Sequence, residues 1–350
     1  MNTHSNIPAN LYKDEFLGSI NYEEGAKKGL IPSRFKGPVF ALLDLTYKCT
    51  NKCIYCYNSS GAHTRYIELG DEKMLDIARQ LIDLEVVNVC LSGGEPLVRK
   101  NLFFDIAKLL HENGVLVSMV SNGWSINEEI AIKLSEYVST IQLSIDGATA
   151  ETHDYLRGRK GSFNRVINAI KMIGNTKLCN CSVSFVPNAY NINEYDQLVD
   201  LLISLGNVKS LRTQPMVETG RGNSQRYIQL SKEQLNTFIK KIVKRNSEVS
   251  RNIKLEYGDP KFFIFQMLKG NMPTMMLQIM ANGKLKISPY LPIVAGDLQN
   301  DRLKECWEAN IANVWQDKKV KRYLSNFKDV NDTGIVAIPW TDNDIMFTDL

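Results

Sequence analysis

Pro38-Val39-Phe40-Ala41-Leu42-Leu43-Asp44-Leu45 runs without a break into Thr46-Tyr47-Lys48-Cys49-Thr50-Asn51-Lys52-Cys53-Ile54-Tyr55-Cys56. The opening part is a short apolar run and reads as a β-strand. The remainder places Cys49, Cys53 and Cys56 directly after that strand. In parallel β/α folds chemistry sits at the carboxyl ends of strands, so this junction is the first candidate site. Cysteine thiolates bind iron–sulfur clusters or zinc. The spacing C-x3-C-x2-C turns three sulfurs toward one tetrahedral or cubane site. Three thiolates on a four-iron cubane leave one iron without a protein ligand, open to a small molecule. Zinc with His63 as fourth ligand is the alternative that the loop alone leaves open.

Outward from the loop, strands and helices alternate. Asp71 to Leu84 has helical spacing, carried by Met74, Leu75, Ala78, Leu81 and Ile82. Val86 to Leu91 is a β-branched run, Asn101 to Asn113 a helix stopping near Gly114, and Leu116 to Val120 a strand. Asn127 is a candidate N-cap for a helix reaching Glu136. Val138 to Ile145, Cys181 to Val186 and Val208 to Gln214 read as strands. Ser162 to Ile173, Glu194 to Leu205 and, after a long loop, Ser231 to Arg245 read as helices. Six strand-then-helix steps imply βαβ units and parallel strands. A closed eight-stranded barrel needs two more units. The expected core is therefore an open α/β structure, a partial (β/α)6 TIM-like barrel.

After about residue 250 the pattern changes. Asn282-Gly283 between Met276–Met280 and Lys284–Ile287 is a two-residue hairpin signal. A helix carrying Leu303, Trp307 and Ile311 and then a polar tail follow. The expected division is an N-terminal extension over 1–37, a barrel over 38–250 and a smaller α+β domain over 251–350.

The chain has 350 residues, with 44% hydrophobic and 23% charged, both near globular averages. Lys and Arg number 42 against 38 Asp and Glu, a net charge of +4 spread along the chain. That argues against a nucleic-acid stripe or a polybasic membrane anchor. No stretch approaches the roughly 20 apolar residues of a membrane span. Met1 to Leu30 is polar with mixed charge and lacks the apolar core of a secretory signal. A cytoplasmic location is the expectation. Seven cysteines without an export signal make a poor disulfide framework, so the clustered three ask for a metal or cofactor.

Four ordered motifs at expected strand ends then carry a resemblance. They are the three-cysteine loop with Tyr55 before its last cysteine, and Ser92-Gly93-Gly94-Glu95-Pro96 after the second strand. Ser121-Asn122-Gly123 follows the third strand, and Leu143-Ser144-Ile145-Asp146-Gly147 ends the fourth, with His153-Asp154 and Arg157-Gly158 beyond it. Together they resemble the radical S-adenosylmethionine (radical SAM) superfamily over about residues 38–222. The resemblance implies that Cys49, Cys53 and Cys56 ligate one [4Fe-4S] cluster. Its open iron would take the amino and carboxylate groups of S-adenosylmethionine. Gly93, Gly94, Glu95 and Pro96 would hold the amino group through backbone oxygens, with Glu95 as a further candidate. Tyr55 would lie near the adenine. Ser121, Asn122 and Ser144 would serve the ribose or carboxylate, and Arg157 would grip the methionyl carboxylate. Asp146, in an Asp-Gly pair, reads more readily as a turn or cap device than as a cofactor contact.

In such enzymes one electron enters the cluster and cleaves the sulfonium, giving methionine and a 5′-deoxyadenosyl radical that abstracts hydrogen from an unactivated C–H bond. An outside reductant, flavodoxin or ferredoxin, is implied. Thr219-Gly220-Arg221-Gly222, Ala281-Asn282-Gly283-Lys284, Ser288-Pro289-Tyr290, Gly296-Asp297-Leu298 and Leu303 to Trp307 look like a SPASM or twitch-type extension. That extension is common in enzymes that modify ribosomal peptides. Relatives usually carry cysteine where Ser288 stands, and further cysteines toward the C-terminus, whereas here none follows Cys306. Serine is a poor iron–sulfur ligand, so a single cluster is expected.

Of the other cysteines, Cys90 reads as core packing, and Cys179 and Cys181, on one face of a strand start, as buried or surface thiols. Cys306 is a candidate for returning a hydrogen atom, and His153 for either moving a proton or a hydrogen-bonded structural role. Phe262, Phe263 and Phe265 read as core rather than as a substrate platform. The leading expectation is an enzyme acting on a ribosomal peptide, with a separate leader-peptide-binding partner. The alternatives are a small metabolite, such as a tetrapyrrole or sugar, and a non-catalytic cluster-binding accessory protein.

Overall fold

The computed structural model describes residues 28–29, 32–63, 66–178, 180–260, 264, 267–268, 273–325 and 344–350. Cys179, the aromatics Phe262, Phe263 and Phe265, and most of the expected 1–37 extension lie outside them. Among the described residues seven strands run in sequence order, each parallel to the one before it. They are β1 (Phe40–Thr46), β2 (Asn88–Gly93), β3 (Leu116–Ser121), β4 (Thr140–Ser144), β5 (Asn180–Phe185), β6 (Val208–Thr213) and β7 (Lys254–Tyr257). Between them lie α1 (Asp71–Asp83), α2 (Lys100–Glu112), α3 (Glu128–Tyr137), α4 (Ala150–Arg157), α5 (Ser162–Gly174), α6 (Tyr195–Leu205) and α7 (Lys232–Val249).

The strands read by alternation. On β1 Ala41, Leu43 and Leu45 are wholly buried in the apolar core shared with the helices, while Leu42, Asp44 and Thr46 take the other face. Ile77, Ala78 and Leu81 of α1 and Val166, Ala169, Ile170 and Ile173 of α5 meet that core at helical spacing. Each fully buried Leu or Ile contributes about 1.5–3 kcal/mol relative to exposure. Local signals set the helix starts. The Asn127 carboxamide oxygen accepts from the Ile130 amide at 2.9 Å. Ser231 and Gln234 form a reciprocal capping box that opens α7.

Two features depart from the sequence reading. A seventh parallel strand, β7, begins at Lys254, past the point where the barrel was expected to end. Its four residues, Lys-Leu-Glu-Tyr, are too few to announce a strand by alternation. The sheet then continues on its other side. β8 (Met276–Ile279) pairs parallel with β1, in register from Phe40↔Met276 to Leu43↔Ile279. β9 (Lys284–Lys286), β10 (Ile293–Asp297) and β11 (Ile345–Met346) extend it, giving the order β11-β10-β9-β8-β1-β2-β3-β4-β5-β6-β7. The β8–β9 hairpin turns through Ala281, Asn282 and Gly283, one residue more than the two-residue signal implied. The Met280 amide bonds to the Lys284 carbonyl, and Gly283 takes the left-handed position at φ +90°. α8 (Leu303–Cys306), continued by a wide turn to Ile311, and α9 (Lys318–Ser325) cover this portion.

Candidate functional site

The chain leaving β1 forms a loop that neighbouring segments fasten through several backbone bonds. The Gly94 and Glu95 amides donate to the Thr46 and Lys48 carbonyls at 2.7 and 2.9 Å. The Lys52 and Ile54 amides donate to the Arg157 and Leu156 carbonyls at the end of α4, at 3.1 and 3.0 Å. From the opposite side Arg221 donates through its backbone to the Cys56 carbonyl at 2.9 Å. Its guanidinium donates to the Cys53 and Ser60 carbonyls, both at 2.7 Å. Sequence reasoning placed Arg221 only in an extension motif, not in the site. The glycines on either side of it were the available signal. A Cβ at Gly220, at φ +56°, would lie 2.5 Å from the Cys56 carbonyl oxygen. At Gly94 a Cβ would run into the Lys48 carbonyl. The Gly-Gly pair after β2 thus admits the cysteine loop itself to close approach.

N–H groups approach two of the three thiols. The Asn51 amide and the Asn122 carboxamide approach Cys49 Sγ at 3.4 and 3.6 Å, and Arg157 Nη1 approaches Cys53 Sγ at 3.8 Å. Burial pushes the Cys49 thiol up to about 12, with Glu95, Cys53 and Cys56 adding in the same direction. Burial likewise raises Cys53, although Arg157 opposes it. A metal centre must therefore displace protons from these sulfurs as it binds. Among the described residues no three His, Cys, Asp or Glu side chains gather closely enough for a single metal ion. His63 is exposed. Thiolates bound to different irons of a cubane lie farther apart than the ligands of one ion, so three thiols not gathered around a single point are a donor set that fits a cluster.

Behind the loop sits a buried ionic group. Arg157 Nε lies 2.5 Å from Asp146, and the Tyr55 hydroxyl donates to the same carboxylate. The Val186 amide donates to the second Asp146 oxygen at 3.1 Å. Asp146, read as a turn residue, is thus the counter-ion that holds both Tyr55 and Arg157. Arg157, expected to grip a ligand carboxylate, is ion-paired with Asp146 through Nε and approaches Cys53 Sγ through Nη1. The Asp146 amide donates to His153 Nδ1 at 3.1 Å, so His153 carries its proton on Nε2, toward Ser162 Oγ at 2.9 Å. Burial first and Arg157 second lower His153 to about 3. Both ring nitrogens are engaged and the ring is neutral, a positioning arrangement rather than a proton shuttle.

Glu95 is fully buried. Its carboxylate accepts from Ser121 Oγ at 2.9 Å, from the Asn122 amide at 2.8 Å and from the Leu97 amide at 3.3 Å. Burial pushes it up to about 7 against those donors. Glu95 and Ser121 therefore tie the ends of β2 and β3 together. Asn122 reaches Thr50 Oγ1 at 2.9 Å. Pro96 opens a short 3-10 turn, and Gly93 adopts φ +121°. Ser144 accepts from Ser184 at 3.3 Å on the face of the sheet away from the helices. That face is polar near the rim. Asp44 accepts there from Ser92 at 2.7 Å and from Gln278 at 2.9 Å, and burial raises it to about 6.

Cys306 lies elsewhere. It is buried beside Gly296 and Leu285, on the face of the sheet covered by α1 and α8. Cys90 and Cys181 are buried strand residues, raised by burial to about 11 and about 12.

Residues 43–202 match the Radical SAM superfamily family model. The chain is 34% identical over 187 residues to the mycofactocin maturase MftC of Mycolicibacterium smegmatis, covering 53% of this chain and 46% of that protein. This chain therefore spans about half the length of that curated relative. An AdoMet-dependent heme synthase of Methanosarcina barkeri is 28% identical over 291 residues, covering 76% of this chain and 80% of that one. Among solved structures, Streptococcus suis SuiB bound to precursor peptide SuiA superposes with a TM-score of 0.64 at 17% identity, covering 89% of this chain and 71% of that one. At that identity the match bears on the fold alone. No helix among the described residues is long and apolar enough to cross a membrane.

Proposed function

We propose that the chain, whose residues 43–202 match the Radical SAM superfamily model, is a radical SAM enzyme modifying a ribosomally made peptide by C–H functionalisation. The observation that carries the reading is the three-cysteine loop, clasped at the carboxyl end of β1 by Gly94, the end of α4 and Arg221. Cys49, Cys53 and Cys56 would hold one [4Fe-4S] cluster. With S-adenosylmethionine bound there, the site would supply reductive sulfonium cleavage and hydrogen abstraction from substrate.

This chain's residues then position and exclude. Gly93, Gly94, Glu95 and Pro96 present backbone groups beside the loop, with the Glu95 side chain bracing them. Tyr55 and Arg157, fixed by Asp146, form the wall next to Cys53. Asn122 faces Cys49, while Ser121 acts through Glu95 and Ser144 borders the polar face. In this reading residues 38–250 make most of the barrel and 251–350 a smaller portion continuous with its sheet. Ser288, in place of a ligating thiol, keeps the count to one cluster. A cytoplasmic flavodoxin or ferredoxin would supply the electron, and a separate protein would present the leader peptide.

A second reading, a small-metabolite substrate, is favoured by the likeness to the heme synthase, which covers more of both chains than the maturase likeness does. The test is anaerobic reconstitution followed by incubation with S-adenosylmethionine and dithionite. Iron and sulfide near four per chain with 5′-deoxyadenosine formed support the proposal. Zinc in place of iron, or no nucleoside product, overturns it. A count near eight overturns the single cluster.

A further inference from the structure

Beside the cysteine loop lies a cleft of about 70 Å³ between Tyr57, which follows Cys56, and the β8–β9 hairpin. Gln278, Lys284, Lys286, Tyr290 and Asp344 also line it. Lys284 Nζ and Lys286 Nζ reach the two oxygens of Asp344 at 2.8 and 2.9 Å, so one carboxylate bridges two ammonium groups. Burial alone would raise Asp344, but Lys286 and Lys284 outweigh it and hold the carboxyl below its usual value.

Three observations give this pair a meaning beyond a surface clamp. The lysines project from a hairpin whose first strand is bonded to β1, the strand that feeds the cysteine loop. Behind Lys286 stands buried Asp44, held by Gln278 from β8, so the pinch joins the polar face described above. The carboxylate that fills it stands just before β11, two residues added parallel to the edge of β10. Beyond them Phe347 and Leu350 rest partly buried against the apolar core, and the Thr348 and Leu350 carbonyls accept from Lys319 and Arg322. A two-residue edge strand with a carboxylate at its head is the geometry in which an extended acidic peptide joins a sheet.

We propose that the Lys284–Lys286 pair is a carboxylate-binding site for the peptide substrate, and that residues 344–346 occupy it as an internal stand-in. The substrate class is an extended peptide with Asp or Glu followed by apolar residues. It pairs with β10 and lies with its acidic residue beside Tyr57. Asp297 on β10, opposite Lys284, disfavours a second carboxylate one step further on. This inference rests on the peptide reading of the same site.

The test uses the reconstituted full chain and a peptide copying residues 344–350, acetyl-Asp-Ile-Met-Phe-Thr-Asp-Leu with a C-terminal fluorescein, beside a version with Asn in first place. Fluorescence anisotropy reads binding to the unaltered chain, to Asp344→Asn, and to Asp344→Asn combined with Lys286→Met or Lys286→Arg. The expected result is binding to Asp344→Asn about tenfold tighter than to the unaltered chain, and about tenfold weaker for the Asn peptide. Lys286→Met loses that preference and Lys286→Arg keeps it. Equal affinity of the two peptides, or no gain in Asp344→Asn, overturns the proposal. Binding is read without turnover, so either result leaves the 5′-deoxyadenosine test of the parent reading separate.

Discussion

Replacing Arg221 by alanine removes two charge-assisted hydrogen bonds and leaves the backbone bond to the Cys56 carbonyl in place. The lost bonds run to the Cys53 and Ser60 carbonyls, both at 2.7 Å. Bonds to a charged donor are worth about 1.5–3 kcal/mol each. Arg221 is half-buried and water replaces part of what is lost, so the loop's closed form should weaken by about 2–3 kcal/mol. At about 1.4 kcal/mol per decade, that makes the open loop about 30- to 150-fold more populated. The assay is the rate at which an iron chelator bleaches the reconstituted protein under anaerobic conditions. Arg221→Ala should bleach at least about tenfold faster than the unaltered chain with unchanged far-ultraviolet circular dichroism, and Arg221→Lys should fall between them, because an ammonium lacks the rigid fork that reaches two carbonyls. Identical bleaching rates for Ala and Arg would refute the reasoning, since the clasp would then contribute nothing to holding the cysteines together.

Asp146→Asn leaves the Arg157 guanidinium buried without its counter-ion, and the urea midpoint should fall by the equivalent of about 3–5 kcal/mol; an unchanged midpoint means the charge is balanced elsewhere. His153 is held neutral, at about 3 against 6.5 in the unfolded chain. The unfolded state therefore takes up a proton first, and this part of the stability is complete above about pH 6.5 and lost as pH falls toward 3. His153→Gln should flatten the fall in stability between pH 6.5 and 4 measured by denaturant titration, and an unaltered slope contradicts that account. Cys53→Ala should abolish 5′-deoxyadenosine formation, while Cys306→Ser should leave it intact; equal losses in both would place Cys306 in the chemistry after all.

The cysteine loop was legible because its chemistry is local: three thiols after one apolar run, with Gly-Gly-Glu-Pro one βα unit later. Helix starts at Asn127 and Ser231 were legible for the same reason, since a cap bonds within four residues. What escaped depends on partners distant in the chain. Nothing near Lys254 or Met276 states which strand it will pair with, and β8 finds β1 across more than two hundred residues. Asp146 looked like a turn because its partners, Tyr55 and Arg157, lie on other segments. Arg221 looked like part of a terminal motif because backbone carbonyls leave no sequence signature. Gly94 carries a second demand the sequence did not state: besides the room for a ligand that was expected, the neighbouring Lys48 backbone needs the space a Cβ would fill.

The pairing of β1 with both β2 and β8 also bears on how the chain emerges from the ribosome. β2 covers one edge of β1 early, but the other edge stays bare until residues 276–279 have been made. For most of translation the strand that presents the three thiols thus offers a row of unpaired amides and carbonyls to any passing chain. A message truncated before residue 276 should yield an insoluble product, even though every cysteine of the loop is already present.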